Sequence, residues 1–200
     1  MSDEIKNTKA SPSAYLFMIV AVSFMGWVVE NAWLLLRKGF MDNRNMNLPF
    51  LLGYGIACVG IFIILGKPKK FWIYFLECFF LISAGEIIMG SLMEKICGFE
   101  WWNYNSIPLH ITKYTSIPTS CAFALAVTLF MKYCFTPLLT VFNKHSSKFI
   151  TGLASVLVIV LVADLSFSFV QMYKIHGLYE KWQIPLAQMP LHRIFSVPKI

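Results

Sequence analysis

Charge is scarce in this chain, and negative charge most of all: charged residues make up 14%, and Asp and Glu together number 10. A soluble domain carries about a quarter charged residues and fewer than half apolar ones. Here 58% of residues are hydrophobic and the mean hydropathy is +0.64. A soluble core built from 200 residues has no room for that much apolar surface. Lipid is therefore the solvent. Motifs are missing as well. The nearest approach to a G-x-x-x-x-G-K-[ST] phosphate loop, Gly60 to Lys67, has the wrong spacing and is followed by Pro68, so ATP hydrolysis by that route belongs to another polypeptide. Neither H-E-x-x-H nor G-x-S-x-G occurs. The five cysteines (Cys58, Cys78, Cys97, Cys121 and Cys134) form no C-x-x-C pair and no zinc spacing with histidine, and His110 is a lone loop histidine. They read as small apolar packing residues, and the sequence assigns no catalytic residue, metal or cofactor. The net charge of +7 is dispersed between apolar runs rather than gathered on one face, which speaks for lipid headgroups and against nucleic acid.

What is present is a set of long apolar runs. Crossing the hydrocarbon takes about 20 mostly apolar residues as a helix. Five stretches qualify, at 14–36, 48–65, 71–93, 117–141 and 149–173. An open sheet would leave backbone groups unpaired in lipid, and the alternation of an outer-membrane barrel is absent. The expected fold is an all-α, multi-pass bundle of about five transmembrane helices in the cell membrane, with a polar segment at 1–13 and a tail at 174–200. The first run lacks the short apolar core and small-residue end of a cleavable signal, so it reads as a retained span. Pro49 is placed in the first turn of the second span. Gly53, Ala57 and Gly60 along that span suggest close helix approach. No sequence repeat is evident.

The connections differ. Residues 66–70 (GKPKK) and 143–148 are short and polar, whereas 37–47 and 95–115 are longer and hold most of the unusual residues. Five spans put the two long connections and the tail on one side and the N-terminus on the other. Lys and Arg divide evenly between the sides, so the positive-inside rule leaves the orientation open. The prolines and aromatics of the tail, including Trp182, Pro185 and Pro190, suggest a segment lying among headgroups.

Charges inside spans are the informative exceptions, each costing roughly 2.5–3.5 kcal/mol at mid-membrane. Glu30, Glu86 and Asp164 lie ~8, ~6 and ~5 Å past the middles of their spans, all towards the long connections. Glu94 continues that line. Glu86, Gly90 and Glu94 share one stripe of the third span. Glu77 belongs to another face, with Lys132 as its expected partner. The tryptophans of Glu100–Tyr104 (EWWNY) are interfacial anchors or the mouth of a cavity.

At these residues a resemblance enters. Glu86-Ile-Ile-Met-Gly90-Ser-Leu-Met-Glu94-Lys95, followed by Trp101-Trp102-Asn103-Tyr104, resembles the E-Y-x-x-G-x-x-x-E-K … W-W-D-Y pattern of the ABC-transporter type IV family, also called the CmpB family. Gly26-Trp27-Val28-Val29-Glu30 is similar to its G-W-x-x-E, and Asn43-Arg44 … Pro49 … Tyr54-Gly55 is similar to its N-R-G … G-P … P-I-Y-G. The likeness covers about 17–139. This chain departs from the pattern at Asn45, where the family has Gly, at Leu52, near its second Pro, and at Asn103, where it has Asp. The family's N-G-R segment has no counterpart around Thr112–Tyr114.

The resemblance implies a permease or permease-like subunit, with the substrate unassigned. Glu30, Glu86 and Glu94 would bind or relay cations or protons, Asp164 would join them, and Arg44 would pair with a carboxylate or take an anion. Trp101, Trp102, Asn103 and Tyr104 would line the entrance. Expected partners are the bilayer, a second copy or another membrane subunit, and a separate ATPase. Two alternatives use the same carboxylates: an embedded enzyme acting on a lipid-linked substrate, and a sensor or assembly factor without turnover.

Overall fold

A computed structural model of the chain describes residues 10–145 and 147–188. Residues 1–9 of the expected polar segment and 189–200 of the expected tail, Pro190 included, lie outside the described residues. The first helix, α1, spans Pro12–Lys38. The Ser11 hydroxyl accepts from the Ala14 N–H at its start, and Gly39, at φ 75°, closes its end onto the Leu35 carbonyl. Glycine suits that left-handed closure. A shorter apolar helix, α2, spans Leu52–Leu65. The third, α3, spans Phe71–Cys97 and closes at Gly98 in the same left-handed way. Ser116 caps α4, Ile117–Phe130. The chain then passes through a wide turn at Met131–Phe135 into α5, Thr136–Lys144. The last helix, α6, spans Lys148–Ile175 and is capped by Ser147.

The wide turn has a local cause. Pro137 has no N–H to donate one turn back, and the ladder steps over the gap: the Thr136 N–H reaches the Met131 carbonyl, and its hydroxyl donates to the same oxygen at 2.8 Å. Such a widened turn keeps the helix continuous, so α4 and α5 form one spanning stretch.

Among the described residues four helical stretches are long and apolar enough to cross a membrane: α1, α3, α4 with α5, and α6. With the shorter α2 they form the expected all-α bundle. The second span corrects the sequence reading. It was expected to start at residue 48 with Pro49 inside its first turn, but the helix starts at Leu52 and is about 21 Å long. Residues 47–51 are held extended instead. The N–H groups of Asn47 and Leu48 donate to Asp164 on α6, and that of Leu51 donates to the Ser23 carbonyl at 2.9 Å. These partners outcompete a first helical turn.

Ser23 lies ~16 Å along α1 from its start, so the 39–51 connection does not stay outside the bundle. It folds back down beside α1 and delivers α2 from that depth. The 98–116 connection does the same beside α3, with Tyr114 against Gly90 and Thr115 bonded to Glu86. Irregular backbone inside a bundle is tolerated where protein groups satisfy it, and here they do. Strand β1 (Phe40–Asp42) pairs antiparallel with the later strand β4 (Gln183–Pro185), Met41 opposite Ile184. Strands β2 (His110–Thr112) and β3 (Thr115–Ser116) pair within the second connection. The tail expected among headgroups is thus stitched to the first connection, and the Trp182 ring lies tilted against that of Trp27 with centroids 6.5 Å apart.

The apolar core joins α1, α2, α3 and the α4–α5 stretch around Met18, Val22, Phe62, Cys78, Met131 and Phe135. Cys58, Cys78 and Cys97 are buried and none of the five cysteines is bridged, in keeping with small packing residues. Close approach of α1 and α2 falls at Gly55, where a Cβ would run into the Ile19 backbone. Nothing lies within contact of Gly53 or Gly60, so that part of the small-residue expectation is corrected: Gly55 is two residues, about half a turn, from both Gly53 and Ala57, and the close face is opposite the expected stripe.

Candidate functional site

Glu30, Glu86, Glu94 and Asp164 sit on three different helices, α1, α3 and α6, and the returning connections supply most of their partners. Around Glu30 the partners come from two places. Arg44, in the first connection, places its guanidinium 3.2 Å from the carboxylate. The Tyr54 hydroxyl, from the first turn of α2, donates to the other oxygen. Tyr54 gets that close because its ring lies on Gly26, one turn before Glu30, where a Cβ would come within 2.7 Å of the ring.

Arg44 itself is aimed by an unusual turn. The Met46 N–H closes onto the Asn43 carbonyl, and both central residues have positive φ, 49° at Arg44 and 63° at Asn45. The Asp42 carboxylate accepts the Arg44 N–H at 2.8 Å and lies 3.7 Å from its guanidinium. Asp42 is in turn fixed by its own N–H, which donates to the buried Asn31 side chain at 2.9 Å. A left-handed backbone costs about 1–2 kcal/mol per residue for most side chains, so this turn exists because the bonds around it over-determine it.

Glu86 differs in kind. It accepts from Thr115 at 2.7 Å and Ser120 at 3.3 Å, and no cation lies within ion-pair distance of it among the described residues. Arg44, expected to be shared by both carboxylates, bonds Glu30 alone. The link between the two is Tyr104, in the loop after α3. Burial pushes its phenol up to about 12, and the negative charges of Glu86 and Glu30 push it the same way. Tyr104 therefore lies within electrostatic reach of both carboxylates and stays a neutral hydroxyl at any ordinary pH.

Glu94 belongs to a second cluster. Lys113 Nζ lies 2.6 Å from it and 2.9 Å from Glu100, the Tyr114 hydroxyl donates to it, and Asn103 donates to Glu100 at 2.6 Å. Lys113 holds Glu100 below the usual carboxylate range, helped by Asn103. The two carboxylates, Glu100 first, hold the Lys113 ammonium above its own. Trp102 donates to the Tyr114 carbonyl at 2.9 Å and Trp101 packs on Phe169 of α6, so both tryptophans anchor the second connection.

Asp164 accepts three bonds, from the N–H and side-chain amide of Asn47 and from the N–H of Leu48. It clasps α6 to the entry of α2. The expected Glu77–Lys132 pair is absent: among the described residues neither side chain is in an ion pair, and Lys132 sits over the Tyr133 ring at 5.1 Å. Both are exposed.

The family model described as "Putative ABC-transporter type IV" (ABC_trans_CmpB) matches residues 15–169. The chain belongs to this family. Comparison with curated proteins and with solved structures gives no match. The matched stretch of this CmpB-family chain runs from α1 into α6 and contains Glu30, Arg44, Glu86, Glu94 and Asp164. The geometry also explains one departure from the family pattern. Asn45 stands where the pattern has Gly, and its φ of 63° is the region glycine enters freely and asparagine better than other residues. Tyr54, Tyr114, Lys113, Thr115, Ser120 and Asn47 were not singled out as site residues from sequence. The signal that points to the two tyrosines was present, a glycine four residues before each of Glu30 and Glu94.

Proposed function

We propose that this CmpB-family protein is a permease or permease-like membrane subunit whose working site is the polar space bounded by Glu30, Arg44, Tyr54, Tyr104 and Glu86, and that it takes cations or protons. The observation that carries the reading is the position of Tyr104, within electrostatic reach of carboxylates from two different spanning helices. Glu30 is the fixed charge, neutralised by Arg44 and held by Tyr54. Glu86, with two hydroxyl partners and no counter-charge, is the exchangeable group: binding a cation or a proton removes the cost of an unpaired carboxylate within the bundle. Discontinuous elements that begin inside a bundle recur at transport sites, and both connections here have that form. Glu94 and Glu100, closed by Lys113, brace the second connection beside the site. Asp164 braces the first. Energy from ATP would require a separate ATPase subunit.

The test is thermal stabilisation of the detergent-solubilised protein across a library of inorganic cations, amines and amino acids. At least one class should raise the melting temperature of the wild type and leave Glu86→Gln unmoved. Equal stabilisation of both proteins, or none by any member, overturns the reading.

A further inference from the structure

The start of α1, the end of α5 and the start of α6 meet at the end of the bundle away from the two long connections. The Ser11 N–H donates to the Asn143 side chain at 2.7 Å, and the Phe17 and Phe142 rings lie 5.5 Å apart, so α1 and α5 are tied there. Helices α5 and α6 follow one another in the chain and each packs along α1, yet they make little contact with each other. Two helices that leave one short turn and lie on a third without closing on each other enclose a wedge. Here it is a cleft of about 300 Å³ lined by Phe17, Val141, Phe142, His145 and Ile150, at the low end of the volumes of small-molecule sites. Val141 is half exposed, so the cleft opens to the surroundings of the bundle.

Apart from His145, every lining side chain is apolar. The His145 ring is fixed by its Nδ1, 2.9 Å from the Val141 carbonyl, which leaves Nε2 as the nitrogen available to a ligand. Two lysines stand at the head of the cleft: Lys144 ends α5 and Lys148 opens α6. Both are exposed, and neither is in an ion pair among the described residues. Counted along the helices, Val141 lies ~4.5 Å below Lys144, Ile150 ~3 Å below Lys148 and Phe17 ~7.5 Å below the start of α1. Charge is therefore outermost and hydrocarbon beneath it. Among the described residues no carboxylate lies in a connection at this end, whereas at the other end Glu30 holds Arg44 and Glu94 and Glu100 hold Lys113.

We propose that this cleft binds one anionic phospholipid, with an acyl chain over Phe17 between α5 and α6 and the phosphate held by Lys144, Lys148 and His145. An unfilled apolar wedge forfeits dispersion contacts along its walls, and an acyl chain restores them. Lysines at the membrane surface attract anionic headgroups, and these two have no carboxylate to satisfy them. A free phosphate would leave the apolar walls unused, and a neutral lipid would leave the lysines unused. A lipid with a negative headgroup uses both, in the order in which the cleft presents them. Once bound, it ties α5 to α6, which are otherwise joined through α1 and the turn between them. The inference is independent of the transport reading.

The test is native mass spectrometry of the full chain in mild detergent, titrated with phosphatidylglycerol or with phosphatidylcholine of the same acyl chains. One phosphatidylglycerol should be retained at a concentration about tenfold lower than phosphatidylcholine requires. The double variant Lys144→Gln/Lys148→Gln should bring phosphatidylglycerol to the level of phosphatidylcholine and leave the lipid-free melting temperature unchanged. Ile150→Trp, which fills the cleft, should lower retention of both lipids; Val141→Trp takes its place should that variant fail to fold. Glycerol phosphate, which carries the anion without the chains, should not displace the bound lipid. Several results overturn the proposal: equal retention of the two lipids by the wild type, an undiminished preference in the lysine variant, or undiminished retention in the tryptophan variant. Displacement by glycerol phosphate overturns it too, as does a wild-type dimer that retains no lipid and that the tryptophan variant abolishes.

Discussion

In α1 the ring of Tyr54 rests on Gly26 and its hydroxyl donates to Glu30, which also holds Arg44. In α3 the ring of Tyr114 rests on Gly90 and its hydroxyl donates to Glu94, which also holds Lys113. One arrangement has thus been built twice: a glycine, a carboxylate one turn later, and a returning connection that brings a phenol and a cation. The settings differ. Arg44 and Glu30 are 30% and 27% exposed, whereas Lys113 and Glu94 are 34% and 39%. Arg44 is locked in a left-handed turn, while Lys113 is shared between two carboxylates. The first set of contacts borders the proposed polar site, and the second ties a loop to α3. Packing geometry is shared by the two sets; the neighbours of the cation are what differ.

The largest expected effect breaks the packing half of the comparison. Gly90→Ala would place a methyl group inside the Tyr114 ring and Gly26→Ala one against the Tyr54 ring. Each should cost about 1–3 kcal/mol, with Gly90→Ala the larger. Melting curves in detergent check this, and a neutral Gly90→Ala would show that the second arrangement is loose.

Next comes the electrostatic half. Arg44→Ala strands Glu30 and should cost about 2 kcal/mol, with Arg44→Ala/Glu30→Gln milder than the sum of the single changes because the stranded charge is gone. Lys113→Met should cost clearly less, since water reaches its partners. Strict additivity of Arg44 and Glu30 would contradict the assigned contact. Adding Glu86→Gln to the series should give additive losses with Arg44→Ala, because Arg44 bonds Glu30 alone.

A smaller effect concerns the turn. Asn45→Ala should cost about 1 kcal/mol, whereas Asn45→Gly should be neutral or stabilising, because φ of 63° suits glycine best. Equal effects of the two substitutions would mean that the side-chain amide, not the backbone, sets the preference.

The smallest effect is in pH dependence. Glu100 is depressed by Lys113, so its contribution is present above the unfolded carboxylate value of about 4.3 and lost as pH falls through the lower folded value. Lys113 is raised, so its contribution is present below about 10.4 and lost as pH climbs through the higher folded value. The difference in melting temperature between wild type and Lys113→Met should therefore stay level from about pH 5 to pH 10 and shrink outside that window. A difference that already changes near neutrality would place another titrating group on Lys113.

Much of this was legible in the residues. A run of apolar side chains long enough to cross the bilayer has one stable backbone state there, because lipid offers no hydrogen bonds; so the four long stretches could be placed to within a few residues. The cost of a carboxylate in that setting likewise marked Glu30, Glu86 and Asp164 as groups that need partners. The partners were harder. Asn47 and Thr115 are ordinary polar loop residues by local pattern, and only the return of both connections into the bundle brings them to Asp164 and Glu86. That return also displaced the start of α2 from residue 48 to Leu52, since bonds to Ser23 and Asp164 replaced a helical turn. The expected Glu77–Lys132 pair failed for a similar reason: opposite charges at one depth are visible in sequence, but the direction in which each helix turns them is set by packing. The sequence by itself determined that this is a helical membrane protein whose apolar spans carry carboxylates in need of partners, because both follow from the free energy of transfer into lipid. Tertiary structure alone decided which phenol, hydroxyl, amide or cation meets each carboxylate, because those contacts join residues up to 117 positions apart and depend on where two irregular connections come to rest.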